Sequence, residues 1–448
     1  MSSITEFLEK EKPSGYTGKM LKELSKLNEE LNAFNNIADS LGSGMPFSVK
    51  DNICVKGIET TASSRMLEGY IPAFNATVVQ RMLDSGFSFI GKTNMDEFGF
   101  GSFGLNSTKP ARNPFDVRYV AGGSSSGAAV ATSILKYHVA IAESTGGSIS
   151  TPAAFCGVVG FTPTYGALSR YGLIDYANSL DKIGIMARHA DDVRSVFDKV
   201  RGADAKDTTS IEGEYRREVS KKIILPDQLT KGIDEDVESG FARLVEKLEG
   251  MGYKTVHRSI PFIDKAIPAY YTIAMAEAST NLARYSGFKY GYRNEDFTQH
   301  YNQFFTNARE RFGLEAKRRI VLGTFVRSAS VRDEYYSKAL KVRRLLIKEL
   351  GKALQDGFIL SPVMPIKVPT FEEVKELTAL ENYKMDVMTI PPNLCGLPHV
   401  SFPYAYHKGM PLAAQLVAGH WGDHAVLGIV EEWERHFDYK FKYNIGEL

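Results

Sequence analysis

The chain has 448 residues, of which 43% are hydrophobic and 24% charged, and its 54 Lys and Arg against 53 Asp and Glu leave a net charge of +1. This composition is typical of a globular protein with a sizeable core, and the charge balance argues against the broad basic surface of a direct nucleic-acid binder. The cysteines Cys54, Cys156 and Cys395 form no CxxC pair, which argues against a disulfide framework and a structural zinc site.

The N-terminal 40 residues have the pattern of one or two amphipathic helices. The first residues lack the basic and then apolar pattern of a secretory signal, and no apolar run is long enough to span a bilayer. Few, widely spaced cysteines fit a reducing compartment. We therefore expect a soluble, cytoplasmic protein without membrane contact.

Strand and helix patterns alternate along the rest of the chain. Residues 222–259 contain an apolar strand, a helix with an apolar face and a second strand, which is a β-α-β pattern. Residues 264–355 are predicted to be mostly helical. The pattern favours an α/β fold in which helices cover both faces of a large mixed sheet. Further strands are predicted at 47–50, 87–91, 137–142, 358–362, 399–403 and 412–419.

Two short motifs point to other functions but lack their context. Residues 86–93, GFSFIGKT, match the phosphate-loop pattern, yet their apolar alternation predicts a buried strand instead of a flexible loop. Ser133 and Lys136 match an SxxK motif without the SDN and KTG segments that accompany it in penicillin-interacting enzymes.

A third motif carries a real alternative. Residues 123–127, GSSSG, match the nucleophile elbow of α/β-hydrolases, with Ser125 as the attacking residue. Such an enzyme needs an acid and a histidine downstream. The candidate histidines are His399, His407, His420, His424 and His436.

The segment from residue 119 to 169 is unusually poor in charge, with Lys136 and Glu143 as its only Lys, Arg, Asp or Glu residues. It contains AGGSSSGAAVA at 121–131 and STGGSISTPAAFCGVVGFTPTYG at 144–166. These stretches resemble the amidase signature family, whose members use a lysine, a bridging serine and a nucleophilic serine, without histidine or metal. The resemblance assigns these roles to Lys50, Ser124 and Ser148.

The residue chemistry is compatible with these roles. A lysine can act as a base only when neutral, and burial behind an apolar strand would lower its pKa. A hydroxyl donates one hydrogen bond and accepts others, so Ser124 can pass a proton from Ser148 to Lys50. In the family, a cis peptide bond precedes the bridging serine. Backbone N–H groups of Thr145, Gly146, Gly147 and Ser148 would form the oxyanion hole.

Similarity extends over most of the chain and favours one branch of the family, the glutaminase subunits of tRNA-dependent amidotransferases. It is carried by residues 91–102, 169–188, 277–293, 316–325 and 393–403. In that branch glutamine supplies ammonia, and the resemblance places Arg319 at its α-carboxylate, Asp386 at its α-amino group and Tyr270 in the pocket wall. Arginine suits a carboxylate because its planar fork can bind both oxygens.

The resemblance implies one amidase domain over residues 1–448, with a helical segment at 1–40 and a helical insertion at 264–355. It implies a glutamine substrate and no cofactor in this chain, because ATP and Mg²⁺ belong to a partner subunit that also holds Glu-tRNA(Gln). The expected assembly is a heterotrimer with B and C subunits. Two alternatives stay open: a stand-alone amidase acting on small amides, and a catalytically silent assembly subunit.

The chain departs from the family pattern around the active site. Ala142, Glu143 and Ser144 stand where the family has Gly-Ser-Asp, and Ser150 stands where it has an arginine. If that acid and base interact in the family, losing both leaves no unpaired buried charge. Ser126 replaces a glycine, and residues 102–106 read SFGLN. We expect these changes to affect substrate preference but not the nucleophile or base.

Overall fold

The computed structural model describes residues 3–9, 16–216, 220–355 and 357–437. Within these ranges, eleven strands form one continuous sheet. The strands are β1 (Phe34–Ile37), β2 (Pro46–Lys50), β3 (Ser88–Thr93), β4 (Val139–Ser144), β5 (Val159–Thr162), β6 (Lys182–Ala187), β7 (Lys222–Pro226), β8 (Lys254–Arg258), β9 (Phe358–Pro362), β10 (His399–His407) and β11 (Met410–Val417).

The sheet is mixed, as the sequence predicts, with the strand order β1-β3-β2-β4-β6-β5-β10-β11-β9-β7-β8. Strand β2 lies parallel to both β3 and β4, and β7 lies parallel to β8 and β9. The other neighbouring pairs are antiparallel.

Helices cover both faces of the sheet. Those in the described ranges are α1 (Ser3–Glu9), α2 (Tyr16–Leu31), α3 (Thr77–Asp84), α4 (Ser126–Ile134), α5 (Ser150–Phe155), α6 (Ala190–Val200), α7 (Asp227–Thr230), α8 (Glu235–Gly250), α9 (Ala266–Asn281), α10 (Tyr301–Arg309), α11 (Leu314–Arg327), α12 (Tyr336–Gln355), α13 (Phe371–Lys375), α14 (Ala379–Lys384), α15 (Ile390–Leu394) and α16 (Asp423–His436).

The alternation of side chains along β4 shows how the two faces are packed. Val139 and Ile141 belong to the apolar cluster that includes buried residues of α3, α6, α8 and α16. Ala140 and Ala142 point the other way, into the cluster built on α2 and α4. The small side chains of β4 and α4 allow this helix to lie close to the sheet, which accounts for the charge-poor, alanine-rich sequence there.

The predicted β-α-β unit over 222–259 is confirmed as β7, α8 and β8, with β7 and β8 parallel. The Asp234 side chain caps α8 by accepting from the N–H groups of Asp236 and Val237. The buried residues Val237, Phe241, Leu244 and Leu248 follow helical spacing and face the core.

Part of the N-terminal prediction is wrong. Residues 34–37 form the edge strand β1, which pairs antiparallel with β3, and not a continuation of the preceding helix. Phe34 is buried while Asn35 and Asn36 are exposed, so the strand has too few apolar residues to show its period in the sequence. Residues 1–2 and 10–15 of the predicted helical segment lie outside the described residues.

Strands β5 and β6 were not predicted. Both are buried along their whole length, because each lies inside the sheet between two neighbours and below helices on both faces. A strand buried on both faces has no alternation of polar and apolar residues, and it therefore lacks the usual strand signal.

Candidate active site

The position of Lys50 follows from the order of the strands. Lys50 is the last residue of β2, which lies parallel to β4 with Val49 paired to Ile141. Parallel neighbours end at the same edge of a sheet, so the end of β2 meets Glu143 near the end of β4. Both side chains are buried, and Lys50 Nζ lies 2.9 Å from Glu143 Oε2.

Lys50 also contacts the predicted bridging serine. Its Nζ donates to Ser124 Oγ at 2.8 Å and to the backbone carbonyl oxygen of Glu143 at 2.9 Å. Burial lowers the pKa of Lys50 from its ordinary value, whereas the negative charge of Glu143 opposes that shift. The site thus has what a lysine base requires, a buried amine in contact with a hydroxyl.

Ser124 lies in the loop that leads into α4, and the peptide bond between Gly123 and Ser124 is cis, as the resemblance implies. Its carbonyl oxygen accepts from the backbone N–H of Asp96 at 3.1 Å. The next N–H, that of Ser125, donates to the carbonyl oxygen of Ser148 at 3.1 Å. These two bonds hold the Ser124 loop beside the segment that carries Ser148.

Ser148 follows the glycine pair between β4 and α5 and is 6% exposed, so a small substrate can reach it. The N–H groups of Gly146 and Gly147 have no acceptor among the described residues. The loop has little room for larger residues. A methyl group on Gly146 would lie 2.7 Å from the Tyr270 hydroxyl oxygen, and one on Gly147 would lie 2.5 Å from Thr389 Oγ1. The pair therefore forms a tightly enclosed backbone turn with donors free for an anion.

Two groups outside the predicted set lie against the glycine turn and the Ser124 loop. Asn393 donates through Nδ2 to the Gly146 carbonyl oxygen. Asp96 lies below the Ser124 loop, where its carboxyl oxygens accept from the N–H groups of Gly104 and Asn106. Burial raises the pKa of Asp96 to about 6. The sequence contains no separate signal for Asn393, while Asp96 lies inside the family-like stretch 91–102.

A second buried carboxyl group stands behind Glu143. The Thr145 hydroxyl lies 2.8 Å from Glu143 Oε1 and 2.9 Å from Asp181 Oδ1. Asp181 Oδ2 accepts from the N–H groups of Tyr176 and Ala177, each at 2.9 Å. Sequence reasoning noted Glu143 only as a departure from the family. The sequence did contain a signal for the contact between Glu143 and Lys50. A carboxylate in a charge-poor, buried segment needs a cation as its partner, and Lys50, at the end of an apolar strand, is such a cation.

Arg319 lies on α11 and is buried among aromatic rings. Its Nε donates to Glu315 Oε1 at 2.9 Å and its Nη1 donates to the Tyr176 hydroxyl. The guanidinium lies 4.8 Å from the ring centroid of Phe100. Neighbouring negative and phenolic groups raise the pKa of Arg319 against the effect of burial, so the side chain is a permanent cation.

Tyr270 and Tyr176 connect Arg319 to the glycine turn. The Tyr270 ring packs against Gly146, and its hydroxyl bonds to that of Tyr176, which in turn contacts Arg319. Tyr270 is buried on α9. The structure therefore brings Arg319 and Tyr270 to one side of the turn that precedes Ser148.

The Asp386 carboxylate is held by two hydroxyl groups. Its Oδ2 accepts from the Tyr271 hydroxyl at 2.6 Å and from Ser102 Oγ at 2.8 Å. The Ser102 carbonyl oxygen accepts from the N–H of Gly123, next to Ser124. Burial raises the pKa of Asp386, while its two hydroxyl donors and the charge of Arg319 lower it. Ser102, the last residue of the family-like stretch 91–102, thus places a hydroxyl on the predicted ammonium-binding carboxylate.

The residues of the three alternative motifs contact groups other than those that the motifs would require. Ser125 Oγ donates to the carbonyl oxygen of Glu143 at 3.1 Å instead of contacting a histidine. Lys92 of the phosphate-loop match is buried in β3, as predicted for a strand, and pairs with Asp51 at 3.3 Å. Ser133 donates to the Cys156 carbonyl oxygen, while Lys136 pairs with Glu6 at 3.0 Å. None of these contacts builds the site that its motif would require.

The other departures are accommodated by buried serines. Ser144 and Ser150 are both inaccessible, and the Ser150 hydroxyl has no hydrogen-bond partner among the described residues. Ser126 is also buried, and its Cβ lies near Gly104. In the described ranges, no cluster of His, Cys, Asp and Glu side chains is arranged to hold a metal ion. No helix in those ranges is both long and apolar enough to cross a bilayer.

A buried lysine is bonded to one serine, and the loop of that serine is bonded to a second serine that follows two glycines with free N–H groups. These are the groups that an amide-hydrolysing serine enzyme requires. The chain belongs to the amidase family, which it matches over residues 17–427. It is 40% identical to the A subunit of glutamyl-tRNA(Gln) amidotransferase from Methanosarcina acetivorans over 98% of this chain and 93% of that protein. The corresponding protein of Methanococcoides burtonii is 41% identical, covering 89% of this chain and 85% of that protein.

Solved structures agree with this placement. The crystal structure of the glutamyl-tRNA(Gln) amidotransferase A subunit from Thermotoga maritima matches with a TM-score of 0.84 and 33% identity, over 99% of this chain and 97% of that chain. The structure of an amidase matches with a TM-score of 0.77 and 26% identity, over 94% and 95%. The predicted family and α/β fold are confirmed.

Proposed function

We propose that this chain is the glutaminase subunit of a tRNA-dependent amidotransferase, which hydrolyses glutamine and supplies ammonia for converting Glu-tRNA(Gln) to Gln-tRNA(Gln). The observation that carries the proposal is the 2.8 Å contact between Lys50 Nζ and Ser124 Oγ inside a closed interior. The relatives whose names place them in a glutamyl-tRNA(Gln) amidotransferase support the choice of substrate.

In the first step, Ser148 Oγ attacks the side-chain carbonyl carbon of glutamine. The Ser148 proton passes to Ser124 Oγ while the Ser124 proton passes to neutral Lys50, which becomes an ammonium. The carbonyl oxygen takes up the negative charge and accepts from the N–H groups of Gly146 and Gly147. A single donor of this kind typically contributes about 3 kcal/mol to transition-state stabilisation.

The second step breaks the carbon–nitrogen bond. The proton on Lys50 returns through Ser124 to the amide nitrogen, ammonia leaves, and a glutamyl ester remains on Ser148. Water then attacks the ester carbon, its proton passes to the Ser148 oxygen through the same relay, and glutamate is released. The proton count closes without any group beyond Lys50, Ser124 and Ser148.

The charges around the turn suit an amino acid substrate. Arg319 would bind the α-carboxylate, since its Nη2 has no partner among the described residues. Asp386 would bind the α-amino group, with Tyr271 and Ser102 holding its carboxylate. Tyr270 would form the wall between these two groups and the glycine turn.

Assembly follows from the same proposal. The chain would bind a B subunit, which holds the tRNA and uses ATP and Mg²⁺, and a small C subunit, in a cytoplasmic heterotrimer. This half-reaction would need no cofactor. Affinity purification of the full chain from its own cells should recover both companions and glutamine-dependent transamidation of Glu-tRNA(Gln). Recovery of active chain alone, with no companion, would favour a stand-alone amidase.

The substrate assignment is tested with Arg319→Ala. Loss of a charged hydrogen-bond donor costs about 1.5–3 kcal/mol, so kcat/KM for glutamine should fall roughly 10- to 100-fold, with little change for a small neutral amide. Arg318→Ala is the matched control, because Arg318 bonds to the same Glu315 but is 37% exposed. Equal behaviour of the two variants toward glutamine would refute the assignment. A catalytically silent chain would release no ammonia from either substrate.

A further inference from the structure

The carboxylate of Glu143 has an unusual set of partners for a group next to a proposed general base. Its Oε2 accepts from Lys50 Nζ at 2.9 Å and from Asn52 Nδ2 at 3.1 Å. Its Oε1 lies 2.8 Å from the Thr145 hydroxyl. Three donors, one of them the Lys50 amine, converge on one buried carboxyl group, so it acts as the acceptor in each of these contacts.

Thr145 joins Glu143 to Asp181 but has only one proton to give. If both carboxyl groups were ionised, one of the two oxygens facing Thr145 would lack a donor, and two negative charges would share a dry site. If Asp181 carries a proton on Oδ1, it donates to Thr145, and Thr145 donates to Glu143. The facing oxygens of Asp181, Thr145 and Glu143 then each take part in a hydrogen bond with one proton between them.

The contacts favour Asp181 over Glu143 as the carboxyl group that carries the proton. Asp181 Oδ2 is occupied by two backbone N–H donors, which leaves Oδ1 as the oxygen that faces Thr145. Moving the proton to Glu143 would leave Lys50 beside a neutral acid and the negative charge farther away, on Asp181. Burial and the charge of Glu143 both raise the pKa of Asp181, in agreement with this placement.

We propose that Glu143 is a positioning residue that sets the charge state of Lys50, with Glu143 ionised and Asp181 holding the proton on the far side of Thr145. The inference rests on the proposed function, because it assigns Lys50 the role of base. When the proton from Ser124 reaches Lys50, the new ammonium forms 2.9 Å from the Glu143 carboxylate, which stabilises it.

The same contact makes Lys50 harder to deprotonate. Glu143 offsets part of the effect of burial on the pKa of Lys50, and the more distant Asp96 and Asp181 face the same amine. An ionised group of opposite charge at this distance typically moves a pKa by about 1–3 units. Glu143 therefore favours the proton transfer itself but raises the pH at which Lys50 becomes a neutral base.

Glu143→Gln tests this balance, because glutamine keeps the shape and removes the charge. The readout is the rate at which a fluorophosphonate probe labels Ser148 in the full chain, measured as a function of pH. We expect the acid limb of the profile to move to lower pH by about 1–3 units, with a slower limiting rate at high pH. A residue with only a structural role would lower the rate without moving the limb.

Asp181→Asn is the matched control, since it replaces a neutral acid by a neutral amide. Its acid limb should stay within about half a pH unit of wild type. Infrared difference spectra at neutral pH should show a protonated carboxyl band in wild type that is missing in this variant. An unmoved limb in Glu143→Gln, a limb moved by a unit or more in Asp181→Asn, or no lost band would each overturn the proposal.

Failure of the proposed function and failure of the role assigned to Glu143 would give different results. Wild-type chain that labels on Ser148 but releases no ammonia from glutamine counts against the proposed function alone. Ammonia release by wild type, with an unmoved limb in Glu143→Gln, counts against the role of Glu143 alone. If Glu143→Gln does not fold, the limb and the infrared band of Asp181→Asn decide the question.

Discussion

Lys50→Met should destabilise the protein because it leaves the Glu143 carboxylate buried without its cation. Methionine has a volume close to that of lysine, so packing is largely retained. Both side chains of the pair are at most 1% exposed, and water cannot replace the lost partner. Removing one member of such a pair typically costs about 3–5 kcal/mol.

The loss converts to a measurable shift in Tm. Unfolding entropy is about 2.1 cal/mol/K per residue near 60 °C, or roughly 0.9 kcal/mol/K for 448 residues that unfold as one unit. The expected fall in Tm, measured by differential scanning calorimetry at neutral pH, is therefore about 3–5 °C. The double variant Lys50→Met/Glu143→Gln should recover about half of that fall, because an amide replaces the unpaired charge.

Lys136→Met is the matched control. Lys136 pairs with Glu6 at a similar distance, 3.0 Å, but its side chain is 40% exposed. Exposed pairs contribute about 0–1 kcal/mol, so its Tm should change by about 1 °C or less. Equal shifts in the two single variants, or a double variant no more stable than Lys50→Met, would refute the reasoning.

Three further outcomes are expected. Gly146→Ala should lower the rate of ammonia release about 100-fold or more, because its methyl group would lie 2.7 Å from the hydroxyl oxygen of the buried Tyr270. The circular dichroism spectrum should stay unchanged. Near-normal activity would contradict a rigid turn. His138 is buried with its pKa lowered to about 3, so it stays neutral in the folded protein while the unfolded chain takes up a proton below about pH 6.5. Its contribution to the free energy of unfolding should therefore fall by about 1.4 kcal/mol for each unit that the pH is lowered below that value. In urea titrations, His138→Gln should change the pH slope by about this amount, and an unchanged slope would exclude the contribution. Ser150→Ala should raise the free energy of unfolding by about 1 kcal/mol, because it removes an unpaired buried hydroxyl, and a destabilised variant would reveal a partner for it.

Three residues of the candidate site could be named from the sequence because each lies in a local stretch that resembles the amidase family. Lys50 ends an apolar strand, Ser124 lies in a glycine- and serine-rich loop before α4, and Ser148 follows a glycine pair before α5. The structure brings Lys50 into contact with Ser124 and joins the Ser124 loop to Ser148 through a backbone bond. The catalytic roles of all three stay predictions until the variants are measured.

The strands show where pattern reasoning stops. Strand β10 begins at His399, as predicted, but it extends to His407 instead of residue 403. Strand β4 begins at Val139 and ends at Ser144, two residues later in the chain than predicted. The shift matters, because it includes Glu143, the partner of Lys50, in the strand. Local propensity changes too gradually along the chain to mark such ends.

The sequence by itself determines local features: which hydroxyl follows two glycines, which lysine ends an apolar strand, and which segments alternate between helix and strand. It does not determine the partner of each buried charge. Lys50 and Glu143 are 93 residues apart in the chain and meet only because β2 and β4 are parallel neighbours that end at one edge of the sheet. Once both are removed from water, the low polarity of the interior strengthens that single contact, on which the proposed charge state of Lys50 depends.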